Sequence, residues 1–260
     1  MSTLHSTNSW RCASWACTML SREQSQSPGY QTLNFEERLG LLVDRETLVR
    51  QNRLLAQRMK KASLRQEACV EDIDFRHPRD LDRSVMLSLA SCQWVRTHRN
   101  CLITGSTGTG KTYLACALAQ KACREGFTVH YQRFSRTLGE LAIARRDGSY
   151  LERLRTLSRI DLLVMDDWGV APLSDEGRRD LLELLDDRYD RKSTLVTSQL
   201  PVDDWHDYLA DPTLADAILD RLVHNAHRLP LSGDSIRKAK AEALMRNVTL
   251  GGEDGHAPAA

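Results

Sequence analysis

Residues 101–112 read CLITGSTGTGKT. An apolar run ends in a glycine, Gly105 to Thr112 fit the spacing G-x-x-x-x-G-K-[ST], and KTYLACALAQKACREG continues with helical character. A strand, a tight glycine turn and a helix in that order leave few folds open. Gly105, Gly108 and Gly110 permit backbone conformations that turn successive N–H groups inward around a phosphate. Ser106, Thr107 and Thr109 belong to the same cradle, and the helix start adds partial positive charge. Lys111 is expected to reach the β- and γ-phosphates of ATP, with Tyr113 beside it, and the Thr112 hydroxyl to bind Mg²⁺. A chance lysine in a glycine-rich turn is the competing reading. The strand and helix on either side argue against it.

Downstream, short apolar runs alternate with helical stretches. The runs at 101–105, 127–132, 162–166, 194–198 and 226–231 read as strands. The alternation predicts an α/β domain with a central, mostly parallel five-stranded sheet between helices. FTVHYQ stands in sequence between the loop strand and the third run. It is expected as an extra strand between those two in the sheet.

The third run, LLVMDDWG, carries four apolar residues straight into Asp166 and Asp167. Two adjacent carboxylates at the end of a buried strand repel each other unless a cation offsets them. Beside a phosphate loop, Asp166 is expected to hold Mg²⁺. Asp167 is expected to polarise a water for in-line attack on the γ-phosphate. That arrangement favours hydrolysis over a kinase, which must exclude water. A capping pair of aspartates is the plain alternative.

Composition adds little direction. The chain has 260 residues, 41% apolar and 27% charged, with a formal net charge of +1, so any nucleic-acid surface must come from local clustering. Candidates are Arg133, Arg136, Arg145, Arg146, Arg153, Arg155 and Arg159, with a second group at Lys60, Lys61 and Arg65. For any one of them a solvated helix face is the simpler reading. The seven cysteines form no CxxC pair and read as buried thiols of a reducing compartment. His224 and His227 read as structural. No apolar run reaches membrane-span length and the start has no signal-peptide pattern, so a cytoplasmic protein is expected.

Four regions are expected: a segment with few order signals (1–33), a small helical module (34–76), the α/β domain (77–248) and a disordered tail (249–260). Asn34 with Glu37 three residues on reads as a capping box opening the helical module.

From Phe35 to Arg237 the sequence resembles the IstB-like transposition helper ATPases, AAA+ relatives of the DnaC and DnaA replication proteins. The stretches that carry this are FEERLGLLVD, ACVEDIDFR, GSTGTGKTYLACAL, DLLVMDDWGVAPL, RRDLLELLDDRYDRKSTLVTSQLPVDDWH, DPTLADAILDRLVHNAHRLPL and GDSIRK. The resemblance implies an AAA+ fold and further roles. Ser198 and Gln199 stand where a first sensor would position the attacking water. Arg221 stands where an arginine finger would enter the neighbouring subunit's site, which makes hydrolysis depend on a homo-oligomer with ATP at its interfaces. Arg237 stands where a second sensor would touch phosphate. The start, STNSWRCASWACTMLSREQ, departs from the leucine-rich helix usual in the family. The function implied is an ATP-dependent helper that assembles on double-stranded DNA through phosphate contacts, deforms it, and recruits or stimulates a transposase. A helicase loader on single-stranded DNA is the runner-up, and a nucleotide-switched scaffold with little turnover is the third reading.

Overall fold

A computed structural model describes residues 15–30, 32–233, 235 and 236. The chain divides into two compact units, Met1–Gln57 and Arg58–Ala260. The second begins within a helix that starts in the first.

Among its described residues the first unit is helical. Helix α1 (Trp15–Gln26) lies inside the stretch with few order signals in the sequence, and α2 (Phe35–Ala62) continues past the unit's end. The capping box forms at its start: Glu37 N–H donates to Asn34 Oδ1 at 2.8 Å, and Asn34 N–H to Glu37 Oε2 at 2.9 Å. Buried Gln24 of α1 donates to the Arg38 carbonyl at 3.0 Å.

The second unit is a parallel sheet with its helices. The elements are α3 (Arg83–Ala90), α4 (Gln93–Arg96), β1 (Asn100–Gly105), α5 (Lys111–Arg124), β2 (Val129–Arg133), α6 (Phe134–Asp147), α7 (Tyr150–Arg159), β3 (Leu162–Trp168), α8 (Asp175–Arg188), β4 (Ser193–Ser198), α9 (Trp205–Leu209), α10 (Pro212–Val223) and β5 (Ala226–Leu231). All five strands run parallel in the order β2-β3-β4-β1-β5. The central strands read as near-continuous apolar runs because both faces are covered. Small residues bring α5 close to the sheet: Ala115, Cys116, Ala117, Ala119 and Ala122 have no exposed surface. Cys101 and Cys116 fill apolar space as free thiols.

One topological expectation is corrected. A strand does lie between the loop strand and the acid strand, but it is β4, not FTVHYQ. That segment forms β2 at the sheet edge, paired to β3 alone. The chain crosses over from β1 to the far edge, comes back through β3, and fills the gap with β4. Sequence order carries no trace of that last insertion.

Local signals fix the helix starts. The Ser174 hydroxyl accepts from Gly177 N–H at 3.1 Å to cap α8, and Asp211 accepts from Leu214 N–H at 3.0 Å ahead of Pro212 in α10. Arg188, at the end of α8, is 1% exposed and donates to the carbonyls of Leu157, Ile160 and Ser193 and to Thr194 Oγ1. Burial without a paired carboxylate lowers its pKa to about 9. This guanidinium ties the starts of β3 and β4 to the end of α7.

Candidate functional site

The carboxyl ends of β1, β3 and β4 converge, and the groups singled out in the sequence gather there. The phosphate loop leaves β1 at Gly105 with φ +147°, where a Cβ would run into the Leu231 carbonyl of β5. Gly110 has φ +94° and opens α5, with Arg79 packed where a Cβ would point. Side chains other than glycine fit neither place. Lys111 is 8% exposed, and its ammonium donates to the carbonyls of Gly105 at 2.7 Å and Ser106 at 2.8 Å.

The two acids are separated by a bulge. Met165 pairs with Val196 and Trp168 with Ser198, so Asp166 and Asp167 together stand opposite Thr197. Asp167 takes φ +63°, a left-handed conformation that aspartate tolerates better than most residues. The extra residue sends the two side chains to different environments. Asp166 is fully buried, and Asp167 keeps 35% of its side chain exposed on the wall of a cavity of about 640 Å³.

Around Asp166 the donors are dense. Thr112 Oγ1 lies 3.1 Å from each carboxylate oxygen. Thr197 Oγ1 donates to Oδ1 and the Tyr131 hydroxyl to Oδ2. Burial, then the bond to Asp166, raises the Tyr131 pKa, so the phenol stays a donor. Thr197 Oγ1 also accepts from Asp167 N–H at 3.2 Å. The buried carboxylate with an adjacent hydroxyl is an all-oxygen donor set that suits Mg²⁺ shared with substrate phosphates. Among the described residues there is no cluster of three or more His, Cys, Asp or Glu that could hold a metal.

The same cavity is lined by Thr107, Gly108, Gly110, Lys111, Thr112, Tyr113 and Gln199. Thr107 Oγ1 donates to Gln199 Oε1 at 2.7 Å, linking the loop to the end of β4. Ser198 stands apart from it. Its hydroxyl is fully buried, donates to the Trp168 carbonyl at 3.1 Å and accepts from Leu200 N–H at 3.0 Å. Of the two sensor candidates only Gln199 therefore faces the cavity. Arg221 is not brought there either. It pairs with Asp186, donates to the Ala217 carbonyl at 2.7 Å, and lies with Asn100 and Thr194 at the opposite, amino ends of β1 and β4. Arg237 lies outside the described residues, as does the tail from 249.

Several site residues were not singled out in the sequence. Thr197 and Tyr131 bind Asp166 directly. The segment from Gln66 to Arg79 forms a wall of the cavity through Gln66, Asp72, Asp74, His77 and Arg79. Arg79 is 3% exposed; its Nη1 donates to the Thr109 carbonyl at 3.2 Å and its Nη2 to the Asp74 carbonyl at 3.0 Å. It thereby clamps that wall to the phosphate loop. The Ile236 N–H donates to the Gly108 carbonyl at 3.0 Å and brings the chain after β5 against the loop. The only signal for this wall was the stretch ACVEDIDFR, which has no helical or strand period.

Of the basic side chains, Arg136 and Arg153 pair with Glu140, and Arg145 with buried Asp180. Arg133 Nε is 3.7 Å from Asp167 Oδ2. Lys60, Lys61, Arg146, Arg155 and Arg159 are exposed. No helix among the described residues is long and apolar enough to cross a membrane.

Comparison with known proteins identifies the family and the fold. The IstB-like ATP binding protein family matches residues 16–243. A protein of Sinorhizobium fredii described as an insertion sequence ATP-binding protein is 51% identical over 208 residues, 80% of this chain and 85% of that one. The ATP-binding protein of insertion sequence IS21 from Pseudomonas aeruginosa is 34% identical over 220 residues, 84% of this chain and 83% of that one. The crystal structure of DnaI shares the fold with a TM-score of 0.56 at 21% identity, covering 64% of this chain and 91% of that chain. Replication initiator DnaA, bound to AMPPCP and single-stranded DNA, shares it with a TM-score of 0.56 at 18% identity, covering 71% of this chain and 56% of that chain.

Proposed function

The chain belongs to the IstB-like ATP-binding family as an insertion-sequence ATP-binding protein, and we propose that it is an ATP-driven helper of DNA transposition acting in the cytoplasm. The observation that carries the ATPase reading is the bulge that sends Asp166 inward to Thr112 and leaves Asp167 on the cavity wall.

ATP lies with its phosphates on Gly105–Thr112 and its base toward the wall formed by Gln66 to Arg79. Lys111 exchanges its loop carbonyls for the β- and γ-phosphate oxygens. Thr112 and Asp166 would hold Mg²⁺, which would supply charge neutralisation to the phosphates. Asp167 orients the attacking water and takes up its proton, and Gln199 keeps that water in line. A base aimed at water suits hydrolysis and would be a liability in a kinase.

Arg221 works in trans. It lies beyond the amino ends of the strands whose carboxyl ends carry the cavity, so it serves a neighbouring subunit and its pairing with Asp186 opens on assembly. Subunits thus share ATP at their interfaces. Lys60, Lys61, Arg146, Arg155 and Arg159 contact duplex phosphates without reading bases, and repetition along the assembly multiplies a modest patch. The assembly deforms the DNA and recruits a transposase, and hydrolysis resets it.

Sedimentation of the protein with ATP, on random duplex and on single-stranded DNA of equal length, tests this reading. A large ATP-dependent complex on duplex supports the helper. A complex confined to single strands would point to a helicase loader instead.

A further inference from the structure

Arg65 reads in the sequence as the end of a basic run with Lys60 and Lys61. In the structure its side chain, 38% exposed, reaches the acid pair. Its Nη1 is 3.4 Å from Asp166 Oδ2 and 3.5 Å from Asp167 Oδ2, so one guanidinium spans both carboxylates. Arg133 reaches Asp167 but is not paired with Asp166. A guanidinium keeps its positive charge at any pH at which the fold exists.

Asp166 is fully buried, and Asp167 is its immediate neighbour in the chain. A buried carboxylate beside a second one is stabilised by positive charge close by. Thr112, Thr197 and Tyr131 supply hydrogen bonds to Asp166 but no charge. Arg65 supplies the charge, and it does so at the Oδ2 that also lies within reach of the Thr112 hydroxyl. A divalent ion between Thr112 and Asp166 would answer the same electrostatic demand at the same oxygens. Both cations cannot be held there without repelling each other.

We infer that Arg65 is a built-in counter-cation of the acid pair, one that must leave Asp166 before Mg²⁺ is held there, and that it sets the Mg²⁺ concentration at which nucleotide is bound. Arg65 is thus a positioning residue of the ATP site rather than a DNA contact. This rests on the ATPase reading given above.

The test compares the full chain with Arg65→Gln and Arg65→Lys. Binding of a fluorescent ATP analogue is titrated with Mg²⁺, and melting is followed in EDTA and in Mg²⁺ with ATP. Removing the competing charge is expected to lower the half-saturating Mg²⁺ about 5-fold or more, the range of an ordinary coupling between two ligands. Arg65→Gln should melt earlier than the parent in EDTA, and Mg²⁺ with ATP should close that gap. Arg65→Lys should keep a Mg²⁺ requirement near that of the parent. An unchanged Mg²⁺ midpoint in Arg65→Gln overturns the proposal. So does a selective loss of ATP over ADP affinity at saturating Mg²⁺, which would make Arg65 a γ-phosphate ligand. If the parent chain binds no nucleotide at any Mg²⁺ concentration, the ATPase reading itself fails and the inference falls with it.

Discussion

Thr197 holds Asp166 in place: its hydroxyl donates to Asp166 Oδ1 while accepting the Asp167 N–H at 3.2 Å. One side chain on β4 thereby fixes both acids of the bulge. Thr197→Val keeps the shape and removes the hydroxyl, leaving a buried carboxylate oxygen and an N–H short of a partner. Residues that orient a metal ligand typically cost about 10–100-fold in activity or metal affinity when lost. ATP turnover is expected to fall in that range, with destabilisation of about 1–3 kcal/mol. Steady-state ATPase rates and urea denaturation check the two figures. Wild-type turnover would mean that Asp166 is positioned without this bond.

Arg188 makes a separate prediction about the scaffold. It donates to three carbonyls and a hydroxyl at the starts of β3 and β4 and the end of α7. Arg188→Ala strands these acceptors, and a loss on the order of 3 kcal/mol is expected. Arg188→Lys should recover little, since a single ammonium cannot reproduce a planar fork of donors. The midpoint of urea unfolding measures both. The site lies at the other ends of the strands, so nucleotide affinity in the folded fraction should stay unchanged.

The contrast between these two residues shows what the sequence makes legible. The phosphate loop, the five strands and the Asn34–Glu37 cap are written in contiguous residues, and local chemistry is enough to read them. Thr197 is different. β4 is buried on both faces, so it lacks the alternation that would separate Thr197 and Gln199 from Ser198. The bulge at Asp166–Asp167 decides which hydroxyl meets the acids, and a bulge has no sequence period. Arg65 is hidden for another reason: in a run with Lys60 and Lys61, charge reads as solvation, and only the partner 101 residues away reverses that. The position of β4 between β1 and β3 is likewise a property of crossovers, not of order along the chain.

His227 gives the fold a pH dependence. It lies in β5 opposite Cys101, and burial, then the charge of Arg99, lowers its pKa below the ordinary 6.5. The unfolded chain therefore takes up this proton before the folded one does. The stability contributed by neutral His227 is complete above the unfolded value and is lost as pH falls through the depressed folded value. The fall in Tm from about pH 7.5 to about pH 5.5 is expected to be smaller in His227→Gln than in the parent. Equal slopes in calorimetry would assign the acid sensitivity to other groups.

Arg221→Ala tests whether the site is shared between subunits. Arg221→Ala should bind ATP like the parent and hydrolyse it poorly, and so should be complemented by Lys111→Ala, which keeps its arginine but lacks the phosphate contact. A mixed interface joins an intact cradle to an intact arginine in one of its two orientations, and an arginine supplied in trans is worth about 10³-fold or more in turnover. ATPase activity of the mixture above the sum of the two variants is the expected result. Full activity of Arg221→Ala alone would remove the finger. If the site is complete only between subunits, activity also rises with protein concentration.

Asp167→Asn separates binding from turnover most cleanly. The backbone at this position has φ +63°, which asparagine adopts as readily as aspartate, so the bulge should survive the change. The N–H bond to Thr197 survives as well, since it belongs to the main chain. What is lost is the carboxylate on the cavity wall. If Asp167 accepts the proton of the attacking water, hydrolysis should drop by about 100-fold or more while nucleotide affinity stays within a few-fold. The assembly would then form on duplex DNA and fail to reset. Sedimentation with ATP should show complexes that persist long after those of the parent have dissolved. Asp167→Ala at the same position would also lose activity, but with strain at a left-handed residue added, so a loss of stability would accompany it. Comparing the two variants isolates the chemistry from the backbone. If Asp167→Asn hydrolyses ATP at the parent rate, water activation belongs to another group, and the exposed carboxylate serves the charge balance with Arg65 and Arg133 alone.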